Sequence, residues 1–207
     1  MAFILRLRAR GISDVDVLRA LETVPRHLFV PHLYADLAWR DVALPIACGQ
    51  TMPEPFLVGK MMEALAPAPA HRVLEIGSGS GYSAAVLAKL AREVVSYERF
   101  RSLAGEASAR LGQLGILNAR VVHGDGLSPS ADLGAFDRVL MHGAIERAPD
   151  EILAVLAENG VVVFARNDAR GRGVLMRLAH DSVAGWSETT LGPCRATDLV
   201  PGKSTTF

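Results

Sequence analysis

Three glycines at alternate positions, Gly77, Gly79 and Gly81, interrupt the run VLEIGSGSGYSAA at residues 73–85 directly behind an apolar segment. Glycines there allow a tight turn and let a ligand approach bare backbone. A helix beginning just after them would add unpaired N–H groups and the positive end of its dipole. Three alternating glycines ask for more than a chain reversal. Two carboxylates extend the pattern. Glu98 lies 21 residues beyond Gly77, just after the apolar run EVVSY, where it can accept from both hydroxyls of a ribose. Asp125, in HGDG at 123–126, can accept from an adenine amino group or merely cap its own turn. A dinucleotide fingerprint, G-x-G-x-x-A, can be laid on Gly79, Gly81 and Ala84. The alternative is S-adenosylmethionine, which needs a ribose acceptor, an adenine contact and hydrogen-bonding backbone near the glycines. Glu98 and Asp125 together favour this methyl donor.

Such residues need a scaffold that brings strand ends together. RVLEI (72–76), EVVSY (93–97), ARVVH (119–123) and FDRVLM (136–141) are short β-rich runs, and helical spacing fills 81–91 and 100–114 between the first three. That alternation predicts an α/β fold with a mostly parallel sheet covered on both faces and right-handed crossovers. A helix near 149–157 is expected to stop at Asn159-Gly160, before a strand VVVFA (161–165). Weaker strands near 173–179 and 186–191, with no helix between, predict an antiparallel edge. Upstream, Ser13 as N-cap and Asp16 as the acidic N3 residue predict a short helix ending before Pro25. Prolines and glycines from Pro25 to Pro55 predict irregular chain over the core. Leu57, Val58, Met61, Met62 and Leu65 predict a core-facing helix at 54–65, and APAPA (66–70) is a stiff joint too short to separate two cores.

Composition narrows the function classes. The chain has 207 residues, half of them hydrophobic, and 22 basic residues balance 22 acidic ones. One domain is expected, with residues 1–65 as a cap and substrate segment and 72–207 as the cofactor-binding sheet. The balanced charge leaves no electrostatic footprint for nucleic acid or an anionic membrane. No run approaches the roughly 20 apolar residues of a spanning helix, and MAFILRLRAR is short for a secretory signal, so a cytoplasmic home is expected. Cys48 and Cys194, far apart and without a CxxC, suggest reduced thiols and no metal site.

The run RARGISDVDVLRALETVPRHLFVP, then DVALPIACGQTMPEPFLVGKMMEAL, VLEIGSGSGYSAAVLAKL, YER, HGDGL and FDRV together resemble the protein-L-isoaspartate O-methyltransferases over roughly residues 8–165. The resemblance implies a doubly wound, seven-stranded Rossmann-like methyltransferase sheet with S-adenosylmethionine as donor. It also implies methyl transfer to the free carboxylate of isoaspartyl residues in a damaged protein or peptide, the first step of repair. Candidate cofactor contacts are then Glu75, Gly77, Ser78, Gly79, Ser80, Gly81, Tyr82, Glu98, Arg99, Asp125 and Gly126.

On the acceptor side the family segment here reads GQTMPEPF. Thr51 is the catalytic candidate, and Gln50, Glu54, Phe56 and His142 are the substrate-binding candidates. Pro53 stands where the family usually has its active-site serine, which removes both a hydroxyl and an N–H. Glu54 replaces a neutral glutamine, and Phe56 a tyrosine or histidine. MHGAI (141–145) replaces a small-residue TAA-like segment, making His142 an addition that is either a packed loop histidine or a new base or substrate contact. PCRATDLVP loosely matches an apolar ending that helps hold the substrate backbone in the family. The cofactor side is intact and the departures gather on the acceptor side. Alternatives to the isoaspartyl reading are therefore a same-fold methyltransferase with a small-molecule or other peptide acceptor, or a non-catalytic binding module.

Overall fold

The computed structural model describes residues 2–168 and 170–205. Among them the first helices are α1 (Ala2–Ala9) and α2 (Val15–Thr23), followed by 3₁₀ turns at Arg26–Phe29 and His32–Leu37. Two short strands, β1 (Leu44–Pro45) and β2 (Thr51–Met52), pair antiparallel, and α3 (Pro55–Leu65) follows. The alternating part is β3 (Arg72–Ile76), α4 (Tyr82–Leu87), β4 (Glu93–Glu98), α5 (Arg101–Gln113), β5 (Ala119–His123) and β6 (Phe136–Ala144). It ends with α6 (Asp150–Ala154), β7 (Leu156–Asn167), β8 (Gly173–Asp181) and β9 (Gly185–Cys194).

Seven strands form one sheet in the order β5-β4-β3-β6-β7-β8-β9, parallel through β7 and antiparallel at β8 and β9. Chain order runs outward from β3 in one direction and resumes at β6 on its other side. The switch point therefore lies between the carboxyl ends of β3 and β6, where a doubly wound sheet opens a crevice. Side chains alternate across the sheet. Val73, Val94, Leu140 and Val163 pack towards Leu21, Met62, Leu65 and Leu87 of α2 to α4, whereas Leu74, Val95, Val139 and Val162 pack with Ile152 of α6. Met61 and Met62 lie in the first of these layers, as core side chains.

Four local readings change. The α2 N-cap is Asp14, whose side chain accepts from the N–H groups of Asp16 and Val17. Ser13 instead donates its N–H to Glu63 Oε1 at 2.6 Å, tying the start of α2 to α3. The cap is thus one residue later than the spacing suggested. The helix after Pro149 stops at Ala154, and Asn159-Gly160 lies inside β7. There Phe136 pairs with Leu156 but Arg138 pairs with Val161, so β7 bulges. Asn159 adopts φ 59°, and a side chain on Gly160 would collide with Leu156. The fourth strand of the sheet in chain order, β6, continues past Met141 to Ala144, which makes His142 a strand residue rather than a loop residue. An additional helix, α1, precedes the first expected one and buries Leu7.

Candidate active site

The glycine loop is folded by positive φ at Gly77 (91°), Gly79 (51°) and Gly81 (88°). Gly77 and Ser78 donate their N–H groups to the Tyr97 carbonyl at 2.8 and 3.1 Å, holding the loop over the end of β4. Glu98 is 5% exposed. Its Oε2 accepts from the Gly79 N–H at 2.8 Å and its Oε1 from the Phe100 N–H at 2.9 Å. Each oxygen keeps a second lone pair for a ligand hydroxyl. Gly81 has a packing duty, because a Cβ there would stand 3.0 Å from that of Ala107 on α5.

Beside the loop a cavity of about 150 Å³ is lined by Ile76, Tyr97, Glu98, Arg99, Asp125 and Gly126, among others. Asp125 Oδ1 accepts from the Leu127 N–H at 3.0 Å, the turn-capping contact, and its Oδ2 accepts from the Gly202 N–H at 2.7 Å. Arg99 donates to the Gly202 carbonyl at 3.2 Å, so the C-terminal segment closes that end of the cavity. A smaller cavity is lined by Ser78, Gly79, Ser80 and Tyr82 together with Gln50, Thr51 and His142. A buried carboxylate with free lone pairs, a positive-φ loop and an apolar floor fit a nucleoside joined to a short polar chain.

The candidate acceptor site is a cleft of about 360 Å³ whose lining includes Thr51, Pro53, Glu54, Met141, His142 and Thr197. It shares Ala43, Glu54, Cys194 and Arg195 with an outer hollow at the end of the edge strand β9. Arg195 makes no ion pair among the described residues. Cys194 is a free thiol whose pKa is pushed up by burial, so it stays neutral. The loop carrying Pro53 is held from beneath by Arg26, which is 0% exposed. Its guanidinium donates twice to the Pro53 carbonyl, at 3.0 and 2.9 Å, and once to that of Ala38 at 2.8 Å. Burial lowers the Arg26 pKa to about 10, which leaves it charged at neutral pH. Its Cζ lies 5.1 Å from the centre of the Tyr82 ring, and burial raises the Tyr82 hydroxyl to about 12. Sequence reading missed Arg26. Its signal was a guanidinium, beside His27, set into the largely apolar stretch LETVPRHLFVP.

The candidates separate into layers. Thr51 and His142 line both the loop cavity and the acceptor cleft, and Glu54 faces the cleft and outer hollow. Gln50 lines the two cofactor-side cavities and not the cleft. Phe56 lines none of these cavities; the Arg10 guanidinium stacks on it at 3.7 Å, and its N–H caps onto Asp41 at 2.9 Å. Glu75 also lines none of them. It is fully buried below His142, which donates from Nε2 to Glu75 Oε1 at 2.9 Å. Beyond β9, Thr197 and Leu199 bond to the backbone of Ala144, laying the C-terminal strap beside the end of β6. A Cβ on Gly143 would strike Leu199 at 2.5 Å, so glycine lets the strap approach.

The sequence profile of the protein-L-isoaspartate(D-aspartate) O-methyltransferase family matches residues 1–201. The chain belongs to this family. It is 47% identical over 202 residues to protein-L-isoaspartate O-methyltransferase 2 of Rhodopseudomonas palustris strain HaA2, covering 98% of this chain and 93% of that one. The Caulobacter vibrioides NA1000 protein-L-isoaspartate O-methyltransferase is 43% identical over 196 residues, covering 95% and 88%. Among solved structures, one protein-L-isoaspartate O-methyltransferase superposes with a TM-score of 0.84 at 24% identity, covering 96% of this chain and 65% of its own. A Plasmodium falciparum structure of the same name, in complex with S-adenosyl-L-homocysteine, gives 0.82 at 22% identity, covering 96% and 97%. These structures share the isoaspartyl methyltransferase fold. No described helix is long and apolar enough to cross a membrane.

Proposed function

We propose that this chain transfers a methyl group from S-adenosylmethionine to the free carboxylate of isoaspartyl residues in damaged cytoplasmic proteins. The observation that carries the acceptor class is the continuity of the cleft with a hollow at the end of an edge strand. An extended peptide fits such a groove, whereas a small molecule is better served by a closed apolar pocket.

When bound, S-adenosylmethionine supplies a methyl carbon already activated by its sulfonium. Glu98 accepts from the ribose hydroxyls, and Asp125 faces the base. An acceptor carboxylate is ionised near neutral pH, so alignment and desolvation matter more than a general base. Thr51, at the meeting of loop cavity and cleft, offers a hydroxyl to the acceptor. Arg26 fixes the neighbouring backbone through the Pro53 carbonyl. Glu54 repels an anionic acceptor, and Arg195 on the same rim offsets that charge.

Incubation with labelled donor and an isoaspartyl peptide, beside its normal aspartyl counterpart, tests the proposal. Label on the isoaspartyl peptide alone is expected. Equal labelling of both, or labelling of neither, would defeat it.

A further inference from the structure

His142 stands where the acceptor cleft and both cofactor-side cavities meet. Its side chain is 9% exposed. Nε2 gives its hydrogen to Glu75, and Glu75 takes another hydrogen bond from Ser96 Oγ, which meets Ser78 Oγ at 2.5 Å. The ring is thereby fixed to the glycine loop through a buried relay. Nδ1, on the other side of the ring, is buried without a partner among the described residues. Buried polar atoms are nearly always paired, so an unpaired one on a residue that lines three cavities calls for a partner from outside the described residues. Methyl transfer to a carboxylate does not call for a base there.

We propose that His142 holds the acceptor carboxylate and takes up one proton at Nδ1 as that carboxylate arrives; the proposal rests on the isoaspartyl reading above. With Nε2–H committed to Glu75, Nδ1 of the neutral ring carries a lone pair, which repels an incoming carboxylate. One proton from solvent converts the ring to an imidazolium. Its Nδ1–H then donates to one acceptor oxygen and leaves the other free to attack, while its charge sits between Glu75 and the acceptor. No bond of the acceptor breaks in this step. Glu54, Cys194 and Arg195 share the cleft with His142, and Glu98, Arg99, Asp125 and Asp198 share the nucleoside cavity. These cavities set four carboxylates and a neutral thiol against two guanidiniums around the ring. The ring thus offers a donor in the cleft whose usual serine is replaced by Pro53.

The test is calorimetry of an isoaspartyl peptide binding to the protein saturated with S-adenosylhomocysteine, in buffers of differing ionisation enthalpy. The native chain should take up close to one proton per peptide bound. His142→Asn, which keeps an N–H donor but cannot ionise, should take up close to none. In steady-state kinetics His142→Ala should raise KM for the peptide by about tenfold or more with a smaller change in kcat, and His142→Asn should recover part of that loss. Because His142 also lines the cofactor-side cavities, S-adenosylhomocysteine affinity is measured beside KM for all three proteins, and circular dichroism shows that the variants are folded. Proton uptake that is absent in the native chain, or unchanged by the substitutions, would overturn the role of the ring. So would a loss of S-adenosylhomocysteine affinity parallel to the rise in KM, since the ring would then serve the donor. A native chain that neither binds nor methylates the peptide overturns the isoaspartyl reading itself, and this inference with it.

Discussion

Glu98 gives the sharpest quantitative expectation on the donor side. Its carboxylate is 5% exposed and accepts two backbone N–H groups, from Gly79 and Phe100, before any ligand arrives. Glu98→Ala therefore does two things. It strands two N–H groups in a nearly buried place, which costs about 1–3 kcal/mol of stability for each that finds no water. It also removes the charged acceptor of the ribose hydroxyls, a contact of about 1.5–3 kcal/mol, so the dissociation constant of S-adenosylhomocysteine should rise roughly 10- to 150-fold. The two losses separate experimentally. Urea unfolding without ligand reads the first, and calorimetry with S-adenosylhomocysteine under native conditions reads the second. The fold should survive, because neither hydrogen bond joins the two core layers. An unchanged dissociation constant in a variant that has lost stability would mean that Glu98 only braces the loop, and the nucleoside assignment would be refuted.

Three further outcomes are expected. Pro53→Ser with Glu54→Gln should raise kcat/KM for an isoaspartyl peptide by at least about tenfold, through an added donor and a removed like charge; steady-state kinetics against the native chain reads this, and an unchanged value would mark the proline as tolerated. Arg26→Met should destabilise the fold by about 2 kcal/mol or more in denaturant unfolding, since it leaves three carbonyls without their donor, at about 1–3 kcal/mol for each that finds no water; a loss below about 1 kcal/mol would show that Arg26 does not hold the Pro53 loop. Burial pushes the Tyr82 hydroxyl up from an ordinary value of 10.0 to about 12, so its share of stability is expected in full below pH 10 and lost as pH rises through about 12. Alkaline unfolding of Tyr82→Phe should lack that part of the decline, and an identical pH profile would contradict it.

The sheet was legible because its strands are short apolar runs separated by helical spacing, and β3 and β5 keep the bounds that RVLEI and ARVVH suggest. The bulge in β7 was not, since Asn159-Gly160 reads equally as a helix stop and only pairing with β6 decides between them. On the donor side, Glu98 is the last residue of β4 rather than the residue after it, and Asp125 follows β5, so both carboxylates stand at strand ends. Asp125, however, spends one oxygen on its own turn and the other on Gly202, 77 residues away, a contact no local pattern announces. The same holds for His142 and Glu75, 67 residues apart and joined because β6 runs beside β3. Arg26 shows the limit most clearly. Its partners are backbone carbonyls of Ala38, Val42 and Pro53, and carbonyls have no identity in a sequence.

A crystal structure with S-adenosylhomocysteine and an isoaspartyl peptide tests the central claim most directly, which is that donor and acceptor meet beside Thr51 and His142. Ribose hydroxyls are expected on Glu98, with an extended peptide leaving the cleft between Glu54 and Arg195. Its free carboxylate should lie within hydrogen-bond distance of Thr51 Oγ1 and His142 Nδ1. A peptide carboxylate seated away from both side chains, or a nucleoside outside the Glu98 cavity, would contradict it.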